Sequence, residues 1–156
     1  RRQPDRHTAE IQRVALAALV ADLTEYEARA RLVPALTTPL GLVTHATFVE
    51  QVWFHHRVAG VPREQVGIPE TVDESFTLAP EDTVVEVRRR YHDACDRSRE
   101  IAAEHDLDEV FAWRGTPVRL RFVYAHLLTE LARHAGHGEI LVEQLRARRG
   151  ADEPDA

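Results

Sequence analysis

The fold is decided by one stretch of the sequence, LRFVYAHLLTELARHAGH at residues 120–137. Its apolar residues recur every three or four positions, a spacing that indicates an amphipathic helix. At about 100° per residue, one apolar stripe forms from Leu120, Val123, Tyr124, Leu127, Leu131, Leu141 and Leu145. The stripe predicts a helix that begins after Thr116-Pro117, an N-cap followed by proline, and runs to about Arg149 before Gly150.

Three other long segments have helical spacing and precede this helix. They cover His7 to Leu23, residues 39 to 59 after the N-cap Thr38, and a segment that Pro80 opens. A capping box at Thr24 predicts a short extra helix from Glu25 to Leu32. Residues 60–78 form a long connection, and no segment shows a convincing strand alternation. The sequence therefore predicts an all-α four-helix bundle with a short extra helix.

Length and charge limit the classes of protein to consider. A chain of 156 residues suits one domain, which we place at residues 1–150, followed by a flexible polar tail at 151–156. A net charge of −6 disfavours nonspecific nucleic-acid binding. No apolar run approaches the roughly 20 residues of a membrane span, the N-terminus lacks a signal-peptide core, and Cys95 is the single cysteine. We expect a cytoplasmic protein with neither nucleic-acid nor membrane partners.

Four polar residues lie along one edge of the predicted apolar stripe: His126, Glu130, His134 and His137. The rise of 1.5 Å per residue separates His126 from His134 by about 12 Å and Glu130 from His137 by about 10 Å. Neither of those pairs can share one metal ion with bonds near 2 Å. Three pairs are close enough to bind one metal ion together: His126/Glu130, Glu130/His134 and His134/His137.

A second helix supplies a histidine on its apolar face. His45 lies between Leu42 and Val49, where an imidazole without a partner is costly to bury. One interpretation is a core histidine that a neighbour satisfies by hydrogen bonding. The other is a metal ligand that faces the cluster on the last helix.

The motifs Pro39-Leu40-Gly41-Leu42-Val43-Thr44-His45 and Glu130-Leu131-Ala132-Arg133-His134-Ala135-Gly136-His137 carry a resemblance over most of the chain. The chain resembles the DinB/YfiT-like superfamily of metal-binding four-helix bundles, in particular an actinobacterial branch related to mycothiol-dependent maleylpyruvate isomerase. The resemblance implies that His45, Glu130 and His134 are the metal ligands. Many relatives have histidine where this chain has Glu130, whereas the isomerase type has glutamate. His137 falls where relatives often have Gln or Asp, and we expect it to line the pocket beside the metal.

The resemblance also implies a chemistry. Two imidazoles and one carboxylate leave coordination positions open, as in catalytic rather than structural zinc sites. We expect a divalent metal, zinc first and Ni, Mn or Fe as alternatives, that activates a mycothiol-like low-molecular-weight thiol or water. The predicted activity is a thiol transferase or isomerase acting on a small-molecule substrate. The alternative is a metal- or small-ligand-binding stress protein without turnover, and relatives suggest a homodimer.

Two further features have functional and structural interpretations. Arg121 or Arg133 could pair with a substrate carboxylate, although surface salt bridges are the simpler expectation. Trp53 and Trp113 are most simply core aromatics, but the predicted loop position of Trp113 would also suit the border of a pocket.

Overall fold

The computed structural model describes residues 4–152, and helices dominate it. In chain order the elements are α1 (Pro4–Ala18), α2 (Glu25–Ala28), α3 (Pro39–Glu50), a π-helix (Gln51–Val58), α4 (Arg63–Val66), a 3₁₀ helix (Glu74–Phe76), α5 (Val84–Ala103), β1 (Val110–Trp113), β2 (Thr116–Arg119) and α6 (Leu120–Asp152). The four long helices are α1, α3 with its π-helical continuation, α5 and α6. The predicted all-α fold class is confirmed.

The core forms where α6 packs along α1 and α3, and where α3 packs against α5. Every residue of the predicted apolar stripe on α6 is buried. Gly138 allows α6 to approach the turn after α1, because a Cβ at this position would clash with the side chain of Leu19. The helix that carries Glu130 and His134 is therefore fixed against two neighbours along its length.

The α3 helix begins as predicted. The Thr38 hydroxyl accepts from the backbone N–H of Gly41 at 3.0 Å, and Pro39 occupies the first helical position. Beyond Glu50 the same helix continues as eight residues of π-helix. π-Helical segments are rare and are frequently found at functional sites. Its i→i+5 bonding changes which residues share a face, so an α-helical projection of residues 51–58 does not apply.

The prediction at Thr116-Pro117 is wrong, because these residues begin β2 rather than a helix. β1 pairs with β2 in antiparallel register, with Val110 opposite Arg119 and Trp113 opposite Thr116. Arg114 and Gly115 form the two-residue turn, with φ angles of 49° and 77°. Positive φ at both central positions is what a tight hairpin turn requires. The strands have only four residues each, too few to reveal an alternation in the sequence.

Other predicted boundaries also differ. α1 ends at Ala18 rather than Leu23, and α2 ends at Ala28 rather than Leu32. Pro80 does not open α5; the helix begins at Val84, because the Thr83 hydroxyl caps it by accepting from the N–H of Glu86. Residues 60–78 contain α4 and the 3₁₀ helix.

The end of α6 differs as well. Gly150 does not stop the helix, which continues through Ala151 to Asp152. The rest of the predicted tail, residues 153–156, lies outside the described residues, and the boundary of the predicted domain stays a prediction. No helix within residues 4–152 has the length and apolarity needed to cross a bilayer.

Candidate metal centre

Three side chains from two helices converge on one point. His45 comes from the middle of α3, and Glu130 and His134 lie one turn apart on α6, where residues four apart share a face. Each offers one ligand atom, and the three atoms lie within 4.8 Å of one another. The Oε2 atom of Glu130 lies 3.6 Å from His45 Nε2 and 3.4 Å from His134 Nε2. Among the described residues, this is the group of histidine, cysteine or acidic side chains whose ligand atoms are close enough together to hold a metal ion.

The spacing of these atoms fits a small divalent cation. In a tetrahedral site with bonds of about 2.0–2.1 Å, neighbouring ligand atoms lie roughly 3.3 Å apart. Both measured distances from Glu130 Oε2 are close to that value. A cation can thus be accommodated with only small side-chain movements.

Ser75 determines which nitrogen of His45 is free. Its hydroxyl donates to the backbone carbonyl of Val72, so the serine oxygen must accept from His45 Nδ1–H, 2.7 Å away. The lone pair of His45 is then on Nε2. Hydrogen bonding of one ring nitrogen to orient the other is the usual support for a metal-binding imidazole.

The free nitrogen of His45 is the strongest evidence that this residue suits a metal ligand. His45 Nε2 is buried and has no hydrogen-bond partner within residues 4–152. In the tautomer that Ser75 selects, it is an acceptor that faces the acceptor oxygen of Glu130. Two acceptors in this arrangement need a cation or a proton between them. A buried acceptor without a partner is otherwise unfavourable by about 1–3 kcal/mol.

Electrostatics maintain both residues in the form that binds metal. Burial lowers the pKa of His45, with the Glu130 carboxylate acting in the opposite direction. The His134 imidazole is the largest cause that holds the pKa of Glu130 well below its usual range. At neutral pH His45 is therefore neutral and Glu130 ionised. Because burial opposes a proton on His45, the arrangement favours a metal cation.

Aromatic rings enclose the centre. Phe76 stacks on the His45 ring at 4.0 Å between centroids with an angle of 9° between planes. The His45 and His134 rings meet edge to face at 4.6 Å. Phe76 follows Ser75 directly, so the 3₁₀ helix both orients His45 and covers one side of its ring.

A cleft of about 350 Å³ opens onto the centre. Trp53 and Trp113 lie side by side in its wall, with ring centroids 5.4 Å apart and ring planes tilted by 50°. The residues lining the cleft are His45, Phe48, Val49, Val52, Trp53, Arg57, Arg63, Glu70, Val72, Trp113, Arg114, His126 and Glu130. A small molecule in this cleft would contact two metal-ligand candidates and an aromatic wall.

The other sequence-predicted residues have different positions. His126 lines the cleft, with its ring 4.4 Å from Trp53, and does not belong to the three-residue cluster. His137 is exposed, with its ring 5.8 Å from that of His134, and its predicted role in the pocket stays a prediction. Arg121 pairs with Asp108 at 2.8 Å, and Arg133 lies 3.7 Å from Glu130. Trp113 lies on β1 rather than on a loop and does border the cleft.

The sequence did not indicate several residues of the site. Ser75 and Phe76 fall in the long connection, whose length alone suggested a functional role. Arg57, Arg63 and Arg114 come from the π-helix, α4 and the hairpin turn. The glycine after Arg114 is typical of a tight turn. The sequence on either side of it shows no strand pattern, so it does not predict a hairpin.

Comparison with known protein families identifies a relationship over most of the chain. A family model described as MST: Mycothiol-S-transferase matches residues 6–147, which include His45, Glu130 and His134. No curated protein matches the chain.

Proposed function

The chain belongs to the mycothiol S-transferase family, a DinB/YfiT-like family, and we propose that it transfers mycothiol or a similar small thiol to an electrophile at the cleft. The proposed ligands of a divalent metal, zinc in preference, are His45, Glu130 and His134. The observation that supports this most strongly is the buried Nε2 of His45, which faces Glu130 without a hydrogen-bond partner. Imidazole and carboxylate donors suit zinc, while Ni, Mn and Fe are alternatives that metal analysis distinguishes.

The proposed reaction forms a thioether. The thiol releases its proton, the sulfur attacks an electrophilic carbon, and a leaving group such as chloride departs with the bonding electron pair. A divalent metal in this centre would favour the thiolate by lowering the pKa of the thiol. The protein positions both reactants: the partly exposed ring of Trp113 offers an apolar surface for an unsaturated or aromatic electrophile, and Phe76 shields the His45 side of the centre from water.

The test begins with the metal. We expect protein purified without added metal to contain close to one equivalent of a divalent ion by elemental analysis. His45→Ala should remove that ion, whereas His92→Ala, at an exposed position on α5, should retain it. Metal contents that are equally low in all three proteins, with no thermal stabilisation by added Zn²⁺, would rule out the centre.

Activity is measured with mycothiol and chlorodinitrobenzene. Metal-dependent formation of the thioether, lost in His45→Ala and kept in His92→Ala, supports the transferase. Stoichiometric binding of metal or thiol without product favours the alternative, a binding protein without turnover. An isomerase or a hydrolase would form no thioether but would change its own substrate in a metal-dependent manner.

A further inference from the structure

Three arginines from separate elements line the cleft. They are Arg57 on the π-helix, Arg63 on α4 and Arg114 in the hairpin turn. Within residues 4–152 none of them forms an ion pair, although Glu70 lines the same cleft. Arginines on outer helix faces, such as Arg89 and Arg99, are by contrast paired with carboxylates. These three guanidinium groups therefore have no direct ion-pair partner among the described residues, although the carboxylates of Glu70 and Glu130 line the same cleft.

Aromatic stacking holds two of these guanidinium groups in place. The Arg57 guanidinium lies 4.0 Å from the centre of the Trp53 ring and 5.8 Å from that of Trp113. The Arg114 guanidinium lies 5.7 Å from the same Trp113 ring. A stacked guanidinium keeps its N–H donors free at the edge of its plane, where they can meet a carboxylate in bidentate fashion.

The backbone of Arg114 indicates that its position is specified. Its φ of 49° lies in the left-handed region, and no other non-glycine residue among those described has a positive φ. Asn or Gly would adopt this turn position more easily. A strained backbone at the rim of a cleft is an observation that motivates a functional hypothesis. The long arginine side chain at this turn brings a charge to Trp113 that Asn or Gly would not supply.

The three like charges also disfavour one another. Burial, followed by the charges of Arg114 and Arg63, lowers the pKa of Arg57. Such repulsion is relieved when an anion binds among the groups. Arg121 and Arg133, the arginines that the sequence suggested for a substrate carboxylate, are already paired with Asp108 and Glu130.

We propose that Arg57, Arg63 and Arg114, set against Trp53 and Trp113, form a subsite for a carboxylate carried by the electrophilic substrate. The substrate class is then a planar, unsaturated or aromatic acid whose reactive carbon faces the metal centre. This inference rests on the proposed function for its catalytic part, while binding of the carboxylate can be measured independently.

The kinetic experiment compares two aryl chlorides in the metal-loaded protein with mycothiol: neutral chlorodinitrobenzene and the carboxylate 4-chloro-3-nitrobenzoate. We expect Arg114→Asn, which suits the turn, and Arg63→Gln each to raise KM for the benzoate by roughly tenfold or more. The ratio of kcat/KM for the benzoate to that for the neutral compound should fall by a similar factor. Arg89→Gln, a matched control on the exposed face of α5, should leave this ratio unchanged.

The binding experiment needs no turnover. Titration with 4-nitrobenzoate should quench tryptophan fluorescence, and the dissociation constant should rise at least roughly tenfold in Arg57→Gln and Arg114→Asn. Added salt should weaken the binding in the native protein. If benzoate binds in this arginine-dependent manner but no thioether forms, the subsite stands and the transferase proposal fails. If chlorodinitrobenzene is conjugated while the arginine variants change neither benzoate binding nor the ratio, the subsite is overturned and the transferase stands.

Discussion

Two polar clusters occupy the helix formed by α3, and they differ in how completely their hydrogen bonds are made. At the end of α3 both oxygens of Glu50 accept from Arg13, at 2.7 and 2.8 Å, and both residues are buried. Five residues earlier, and about 140° around the helix, His45 has a satisfied Nδ1 but an unsatisfied Nε2.

The difference separates a structural cluster from a binding centre. The Arg13–Glu50 pair is bidentate, and the third guanidinium nitrogen of Arg13 donates to Glu10 at 2.6 Å, so every guanidinium nitrogen of Arg13 and both oxygens of Glu50 have a partner within the protein. At the other cluster, His45 Nε2 and Glu130 Oε2 present acceptors to each other, and a metal cation would satisfy both. Variants of the first cluster should therefore affect folding at any metal concentration, and variants of the second mainly in the presence of metal.

The largest effect is expected for Arg13→Ala. It leaves the Glu50 carboxylate buried without a counter-charge, which typically lowers the free energy of unfolding by about 3–5 kcal/mol. The loss should be the same with added Zn²⁺ and with a chelator, as measured by urea denaturation. Arg89→Ala removes exposed pairs with Glu86 and Asp93, which solvent screens, and should have a much smaller effect. Equal losses in the two variants, or an effect of metal on the Arg13→Ala loss, would contradict the structural role.

The next effect is expected for His134→Ala and appears only with metal. At free Zn²⁺ about 100 times its dissociation constant, binding adds about 2.7 kcal/mol to the stability of the native protein. His134→Ala should remove most of that gain, while its unfolding in chelator should stay close to that of the native protein. His92→Ala, an exposed imidazole on α5, should keep the full gain. A comparable loss in chelator would instead identify His134 as a packing residue.

A smaller effect is expected for Ser75→Ala. Without the acceptor for Nδ1–H, the His45 ring is no longer restricted to one tautomer and orientation, which typically weakens metal binding 10- to 100-fold, or about 1.4–2.7 kcal/mol. Competition with a chromogenic chelator measures this change. Thr77→Ala is the matched control, because its hydroxyl donates to Asp73 in the same segment and does not contact His45. Equal affinities in the two variants would contradict the orienting role of Ser75.

The main helices could be predicted from the sequence because they depend on local periodicity. The buried stripe on α6 and the cap at Thr38 follow from spacing and residue type alone. The hairpin could not be predicted, because each strand has four residues and its pairing depends on positive φ at Arg114 and Gly115. Thr116-Pro117 satisfied a helix-start pattern that tertiary pairing then overrode.

In the candidate site, too, the residues that depend on local periodicity could be predicted and those that depend on tertiary contacts could not. Glu130 and His134 are one helical turn apart, so periodicity places them together. Periodicity also puts His45 on the apolar face of its helix, and the resemblance favours its role as a ligand. Ser75 orients His45 from 30 positions further along the chain, through a contact that no local pattern indicates. Arg57 belongs to a π-helix, where the spacing used for α-helices fails. The roles of Ser75 and Arg57 thus depend on tertiary structure and helix type, which local sequence patterns do not predict.

The smallest effect is expected when the ion pair of a third carboxylate, Glu27, is removed. This variant tests whether pairing of a carboxylate with a cation is enough to explain the stability of the Glu50 cluster. The Glu27 carboxylate accepts from the backbone N–H of Thr24 and forms an ion pair with Arg149. These contacts, of which the hydrogen bond from Arg149 is the largest cause, lower the pKa of Glu27 from 4.5 to about 2. Because the folded pKa is the lower one, the stabilisation is present above about pH 4.5 and is lost as the pH falls towards 2. In chelator, Arg149→Gln should lower the melting temperature slightly near pH 6, and its difference from the native protein should vanish near pH 2. Arg148→Gln, its exposed neighbour, should show no such pH-dependent difference. A loss for Arg149→Gln as large as that for Arg13→Ala would mean that pairing with a cation, rather than burial, accounts for the Glu50 cluster.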